Sequence, residues 1–247
     1  MENKNHRMLE KALSILEFVA GRVDGVVLTD VCNHFSMPKS SAHALLSTLA
    51  NMDYLRRDGS GRFTIGLKAF EVGSRFIENN DFYTYSRHVL RGLVAAVEET
   101  AHVGVLEGTD VVYLSKYDNP SLFRMVSGVG KRVPAHATAV GKALLSGRSD
   151  EDIRAMYTGE KLPDLTGHTV TDLSCLLHQL EEVRLTGFAT EREESTVGIA
   201  CIGVPIVNHG GVTVMGISVS IPLSHVDEFE RFRAPLLEAK QKLEVFL

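Results

Sequence analysis

Residues 28–49 read LTDVCNHFSMPKSSAHALLSTL, and the rest of the chain is organised around them. Their spacing predicts two short helices joined by a tight turn. Thr29 is placed to cap a first helix reaching Phe35, with Val31, Cys32 and Phe35 as its apolar positions. Ser36 and Met37 make the turn, and Pro38 suits the first turn of the next helix, where its missing N–H costs nothing. In that second helix Ala42, Leu45, Leu46 and Leu49 line one face, which predicts their burial. Lys39, Ser40, Ser41, His43 and Ala44 are left at or near the N-terminal half of the outward surface. A helix-turn-helix presents its reading side chains to the DNA major groove from that place.

The flanking segments complete this unit. Leu9, Ala12, Leu13, Leu16, Val19 and Ala20 recur at helical spacing before Gly21, which predicts a first helix covering the other two. Downstream, DYLRRDGSGRFTIG (53–66) reads as a two-stranded wing that turns at Asp58 to Gly61, with Phe63 and Ile65 in its returning arm. Arg56, Arg57 and Arg62 on that wing are suited to phosphates or the minor groove. Residues 1–66 therefore form a winged helix-turn-helix. A linker helix follows over 67–80, where Leu67, Phe70, Ser74 and Ile77 form a seam able to pack on a second copy.

Asn79, Asn80 and Asp81 mark the start of a second domain, 81–247, in which the periodicity changes. A helix is expected from about Phe82 to Thr100, then a hairpin of HVGVLEG and VVYLSKY, then a short strand around Leu122 to Val126. A short helix carrying Ala139, Ala143 and Leu144 is entered near His136, and further helices span Asp150 to Tyr157 and Asp172 to Leu185. GIACIGVPIVN (198–208) and VTVMGISVS (212–220) are the strongest strand signals, and a last helix is expected from Ser224 to Val245. The pattern is α/β in content, in the α+β sense: a mostly antiparallel sheet flanked by helices.

Composition narrows the function. The 247 residues are 44 % hydrophobic, enough for a sizeable core, and the net charge of −5 divides into +1 over residues 1–66 and −6 after them. A near-neutral head on an acidic body suits a protein that meets DNA at one end only. Cys32, Cys175 and Cys201 have no ligand spacing, and the ten histidines are scattered, so neither a metal nor a cofactor is expected. No apolar run approaches the ~20 residues that span a bilayer, and no leader opens the chain, so a reduced cytoplasmic protein is expected. A cysteine hydrolase built on Cys201 with His136 or His209 lacks a base placed beside the thiol, which argues against an enzyme.

PKSSAHALLSTL, RDGSGRFTIGLKAFEVG, AHATAVGKALLS, and GFATEREESTVGIACIGVPI followed by GISVSIP occur in this order and together resemble the isocitrate-lyase-regulator (IclR) family of bacterial transcription factors. The resemblance implies a winged helix joined by a linker helix to a GAF-like effector domain. It implies binding to inverted-repeat operators as a homodimer or a dimer of dimers, and regulation of catabolic or transport genes, commonly by repression. The effector-binding positions it points to are Ala139, Val140, Glu191, Cys201, Ser218 and Ser220. Strand alternation puts Ser218 and Ser220 on one side of the sheet, where two hydroxyls can converge on a carboxylate. The helix start beyond His136 offers backbone N–H groups to the same charge.

Two departures matter. Ala44 stands where the family often has arginine, and Glu191 where it commonly has aspartate. Glu191 is expected to accept hydrogen bonds from a ligand hydroxyl or keto-hydrate, its extra methylene reaching further into the pocket, with Val140 and Val197 as apolar walls. A small hydroxy, keto or sugar acid is the expected effector. The alternatives are an activator sensing an aromatic acid and an architectural DNA-binding protein that needs no ligand.

Overall fold

The computed structural model describes residues 6–78, 81–119, 128–159 and 161–247, and they fall into two compact units divided between residues 80 and 81. Asn79 and Asn80 of the expected boundary, and the strand expected at 122–126, lie outside the described residues.

The first unit contains α1 (Arg7–Ala20), α2 (Leu28–His34), α3 (Lys39–Asn51), the hairpin β1 (Leu55–Arg57) and β2 (Phe63–Ile65), and α4 (Leu67–Glu78). Ile15, Val19, Val31, Leu46, Leu55 and Phe63 are among the residues of its core, and Ala42, Leu45, Leu46 and Leu49 of α3 are all buried as their spacing requires. Two details at the helix starts differ from expectation. Thr29 does not cap α2: Val27 precedes the helix, and its N–H donates to Asp30 Oδ2 at 2.9 Å. Pro38 sits one residue before α3, with φ −60° and ψ 144°, because Ser36 takes the left-handed conformation (φ 47°) and completes the turn early. Val26 exchanges both backbone hydrogen bonds with Phe63, at 2.9 and 2.8 Å, which ties the wing to the segment before α2. On α4, Leu67 and Phe70 are exposed as an unfilled seam requires, while Ser74 is half-buried; Val72 and Phe76 are exposed too, on the opposite side of the helix. The side chain of Ile77 lies outside the described set.

In the second unit, α5 (Asp81–Val97) stops three residues short of the expected Thr100. Glu98 turns left-handed (φ 59°), and Thr100 already begins β3 (Thr100–Glu107). β4 (Asp110–Tyr117) returns as the expected hairpin partner. β5 (Arg132–Pro134) and β6 (Ala189–Arg192), too short to show a period, were not expected. Between them lie α6 (Ala139–Ser146), α7 (Asp150–Met156) and α8 (Leu173–Thr186). A 3₁₀ turn at Ala135–Ala137 precedes α6, so that helix starts after Thr138, not His136. β7 (Ile199–Val207) and β8 (Thr213–Pro222) form the longest strand pair. The last helix, α9 (Phe229–Glu244), is shorter than expected because Leu223–Glu228 is 3₁₀.

The six strands form one antiparallel sheet in the order β5-β4-β3-β8-β7-β6. Its two faces differ sharply. Ala101, Val103, Ile202, Val204, Ile217 and Val219 point to one side, where they pack on Leu90 and Leu93 of α5 and Phe232 and Leu236 of α9. Alternate residues, among them Thr100, His102, Cys201, Ser218 and Ser220, therefore point to the other side, beneath α6.

Candidate functional site

The polar side of the sheet is assembled by register. Ser220 lies opposite Thr100 and Cys201, Ser218 opposite His102 and Gly203, and Glu191 opposite Cys201. Four of the six effector positions expected from sequence, Glu191, Cys201, Ser218 and Ser220, are thus brought to one region, and all six are buried. α6 can settle directly onto the strands because Gly203 and Gly216 carry no side chain. A Cβ on Gly203 would meet Ser218 Cβ at 3.2 Å and the Ala139 carbonyl carbon at 3.3 Å; one on Gly216 would meet Val140 O at 2.8 Å. Ala139 and Val140 therefore stand over the sheet beside Ser218. Among the described residues, the amides of Ala139 and Val140 and the hydroxyl of Ser218 have no hydrogen-bond partner, whereas Gly141 N–H donates to the capping Thr138 Oγ1 at 2.9 Å.

The remaining groups are interlinked. Cys201 Sγ and Ser220 Oγ are 3.2 Å apart, and Ser220 Oγ lies 3.5 Å from His102 Nδ1. Burial holds the His102 imidazole neutral, its pKa lowered to about 3, and pushes the Cys201 thiol well up, so neither carries charge near neutrality. Tyr113 joins them through a β-bulge. The register of β3 with β4 slips between Val103 and Gly104, so both Lys116 and Tyr113 face the side of His102, and the Tyr113 ring lies 4.9 Å from the imidazole. Sequence reasoning missed Thr100, His102, Tyr113 and Lys116. The even spacing of Thr100 and His102 on a strand was available as a signal; the bulge was not.

Glu191 on β6 already has hydrogen bonds of its own: its carboxylate accepts from Glu194 N–H (Oε2, 2.9 Å) and the Ser195 hydroxyl (Oε1, 3.5 Å) of the following loop, and it is hydrogen-bonded to Cys201. Burial raises its pKa to about 7, opposed by the Cys201 and Glu194 N–H hydrogen bonds and by Lys142. Near neutrality it both donates and accepts. Lys142 of α6, buried completely, pairs with Glu194 and donates to Thr190 O at 3.4 Å. Val197 is 65 % exposed on the loop after β6 and is no pocket wall, while Val140 packs on Gly216.

In the first unit, Lys39, Ser40, His43 and Ala44 are exposed on α3 and Ser41 is half-buried. Arg56, Arg57 and Arg62 are exposed on the wing, and Arg57 lies over the Phe63 ring at 5.6 Å. Asp58 shapes the wing tip: its Oδ1 accepts from Ser60 N–H, Ser60 Oγ and Arg62 N–H at 2.7–2.9 Å.

Comparison with known proteins decides the family. The IclR helix-turn-helix domain matches residues 8–59 and the bacterial transcriptional regulator IclR C-terminal domain matches residues 74–245. The chain belongs to the IclR family. It is a DNA-binding, effector-responsive transcriptional regulator and not an enzyme. This IclR chain is 32 % identical to the HTH-type transcriptional regulator KdgR of Dickeya chrysanthemi over 219 residues, 88 % of this chain and 72 % of that one. It is 31 % identical to the HTH-type transcriptional repressor AllR of Escherichia coli K12 over 230 residues, 93 % and 84 % of the two chains. The crystal structure of Thermotoga maritima IclR superposes with a TM-score of 0.77 at 27 % identity, covering 98 % of this chain and 99 % of that one. Among the described residues no cluster of potential metal ligands occurs, and no helix is long and apolar enough to cross a membrane.

Proposed function

We propose that this IclR chain is a repressor whose C-terminal domain, 81–247, takes a small organic acid on the polar face of the sheet. The observation that carries this reading is Ser218, whose hydroxyl has no partner among the described residues, beside the partnerless Ala139 and Val140 amides at the start of α6. Three free donors on one region can meet a single acceptor, and a carboxylate at a helix start fits. Thr100, His102 and Tyr113 supply neutral hydroxyl and imidazole partners for a hydroxy, keto or sugar acid. Lys142 is committed to Glu194, so the acid's charge is met by dipoles.

Residues 1–66 contact an inverted-repeat operator through Lys39, Ser40, Ser41 and His43 on α3 and through Arg56, Arg57 and Arg62 on the wing. The exposed Leu67 and Phe70 of α4, in the 67–80 linker, supply a homodimer contact, which sets the spacing of two α3 helices at about the 34–36 Å of a DNA turn. Repression is supported by AllR, which is named a repressor. A thermal-shift screen of the full-length protein against hydroxy, keto, sugar and small aromatic acids tests the reading. A saturable hit, lost in the S218A/S220A double variant, is expected; a folded protein that answers to none points instead to ligand-independent DNA binding.

A further inference from the structure

Of the hydroxyls that the strands bring to the polar face of the sheet, Thr100, Tyr113, Ser218 and Ser220, two already have partners. Ser220 Oγ lies between Cys201 and His102, and Thr100 Oγ1 accepts the backbone N–H of Asn119 at 3.4 Å. Tyr113 and Ser218 have none among the described residues. Tyr113 is only 7 % exposed, yet its oxygen is not sealed off, so a ligand can reach it. Its ring lies 4.9 Å from the His102 imidazole, tilted by 43°, and His102 pairs with Ser218 across the β3–β8 ladder. The phenol therefore stands over β3, about one strand spacing (~4.8 Å) from the strand that carries Ser218. Its hydroxyl is within electrostatic reach of Cys201 and Glu191. Burial first, and then those two groups, push its pKa up, so it keeps its proton and presents a donor.

Resting on the reading of this face as the seat of a small organic acid, we propose that Tyr113 is a specificity-determining residue, which donates to a second oxygen of the acid, the keto or hydroxyl group next to its carboxylate. Ser218 and the Ala139 and Val140 amides hold the carboxylate itself. The division follows from where the free donors stand. Tyr113 reaches over β3 from β4, whereas α6 rests on β7 and β8 through Gly203 and Gly216, so the two sets approach the space above Ser218 from different sides. A keto oxygen accepts from the phenol, and a hydroxyl can accept from it or donate to it. An acid of the same length without that oxygen leaves the phenol unpaired, and a site built to hydrogen-bond a ligand oxygen discriminates against the analogue that lacks it. Packing does not require the hydroxyl, because a phenylalanine ring would fill the same space against His102.

The test titrates the full-length native protein and Y113F calorimetrically with acids matched in chain length: propionate against lactate and pyruvate, and hexanoate against 2-hydroxyhexanoate and 2-oxohexanoate. The native protein is expected to favour the oxygenated member of a set by about fivefold, the worth of one hydrogen bond. In Y113F that ratio should fall to near one, with the melting temperature of the ligand-free protein unchanged. A preference that survives in Y113F overturns the proposal, as does native binding that makes no distinction within a set. A lower melting temperature in ligand-free Y113F overturns it too, because the hydroxyl is then spent on the fold. A native protein that binds none of the acids overturns the acid-site reading itself, and the role of Tyr113 with it, and is thereby distinguished from binding without discrimination.

Discussion

Lys142, near the start of α6, directs its ammonium onto the carboxylate of Glu194 in the loop after β6, and both side chains are buried. Glu194 in turn donates its backbone N–H to Glu191. The helix that carries the Ala139 and Val140 amides is thus tied to the edge strand that carries Glu191, across the polar face of the sheet.

Breaking that pair should be worse than deleting it. K142M leaves the Glu194 carboxylate buried without its cation and is expected to cost roughly 3–5 kcal/mol, whereas K142M/E194M recovers most of the loss. Urea unfolding of the three proteins, followed by circular dichroism, checks the order.

Glu191 gives the stability a definite pH dependence. Its folded pKa, about 7, lies above the value near 4.5 of a free glutamate, so the folded state holds the proton more tightly. That stabilisation is complete below pH ~4.5 and is lost as pH rises through 7, on the order of 3 kcal/mol in all. The difference in unfolding free energy between native protein and E191Q should therefore move against the native protein between pH 5 and 8 as order-of-magnitude bounds. A difference that stays flat over this range would show that the carboxyl is not titrating there.

Ser218 and Ser220 should behave unlike each other. Ser220 Oγ is already engaged with Cys201 and His102, so S220A disturbs the free protein as well as the complex. Ser218 has no partner among the described residues, so S218A should leave the melting temperature nearly unchanged while weakening the effector by about 1 kcal/mol, roughly fivefold. Calorimetric titration beside thermal melts separates the two.

On the DNA side, R56A and R62A should weaken binding to all sequences alike and reduce the slope of log affinity against log salt by about 1 each. K39A should instead alter sequence preference. Binding titrations over a salt series, on operator and on unrelated DNA, distinguish a phosphate contact from a base contact.

The exposed ring of Phe70 on α4 makes the oligomer testable. F70D places a charge in the expected seam, and sedimentation should show dissociation at concentrations where the native protein is dimeric. Operator affinity should fall with it, because one α3 helix then binds without the other.

Local patterning determined most of the architecture. The helix-turn-helix was legible because Ala42, Leu45, Leu46 and Leu49 mark a helical face, and the wing because Asp58 to Gly61 separates two short β-rich arms. The β7–β8 pair was legible because long β-branched runs flank His209 to Gly211. Period-2 alternation likewise placed Ser218 and Ser220 together, since alternate strand residues share a face whatever the fold. Thr29 as a cap, the helix to Thr100 and the helix from Ser224 were misplaced at their ends, where one or two backbone angles decide and composition does not.

What only the tertiary structure decided is which distant residues complete the site. His102 and Ser220 are 118 positions apart and meet because β3 pairs with β8. Tyr113 faces them because a bulge shifts its strand by one residue, which reverses the side to which its ring points. The charge of Glu191 depends on burial beside Glu194 and Lys142, a sum of desolvation and neighbouring charges that no stretch of sequence contains. Sequence determined the faces, because backbone periodicity is local; strand order and burial determined the site, because pairing and desolvation are not.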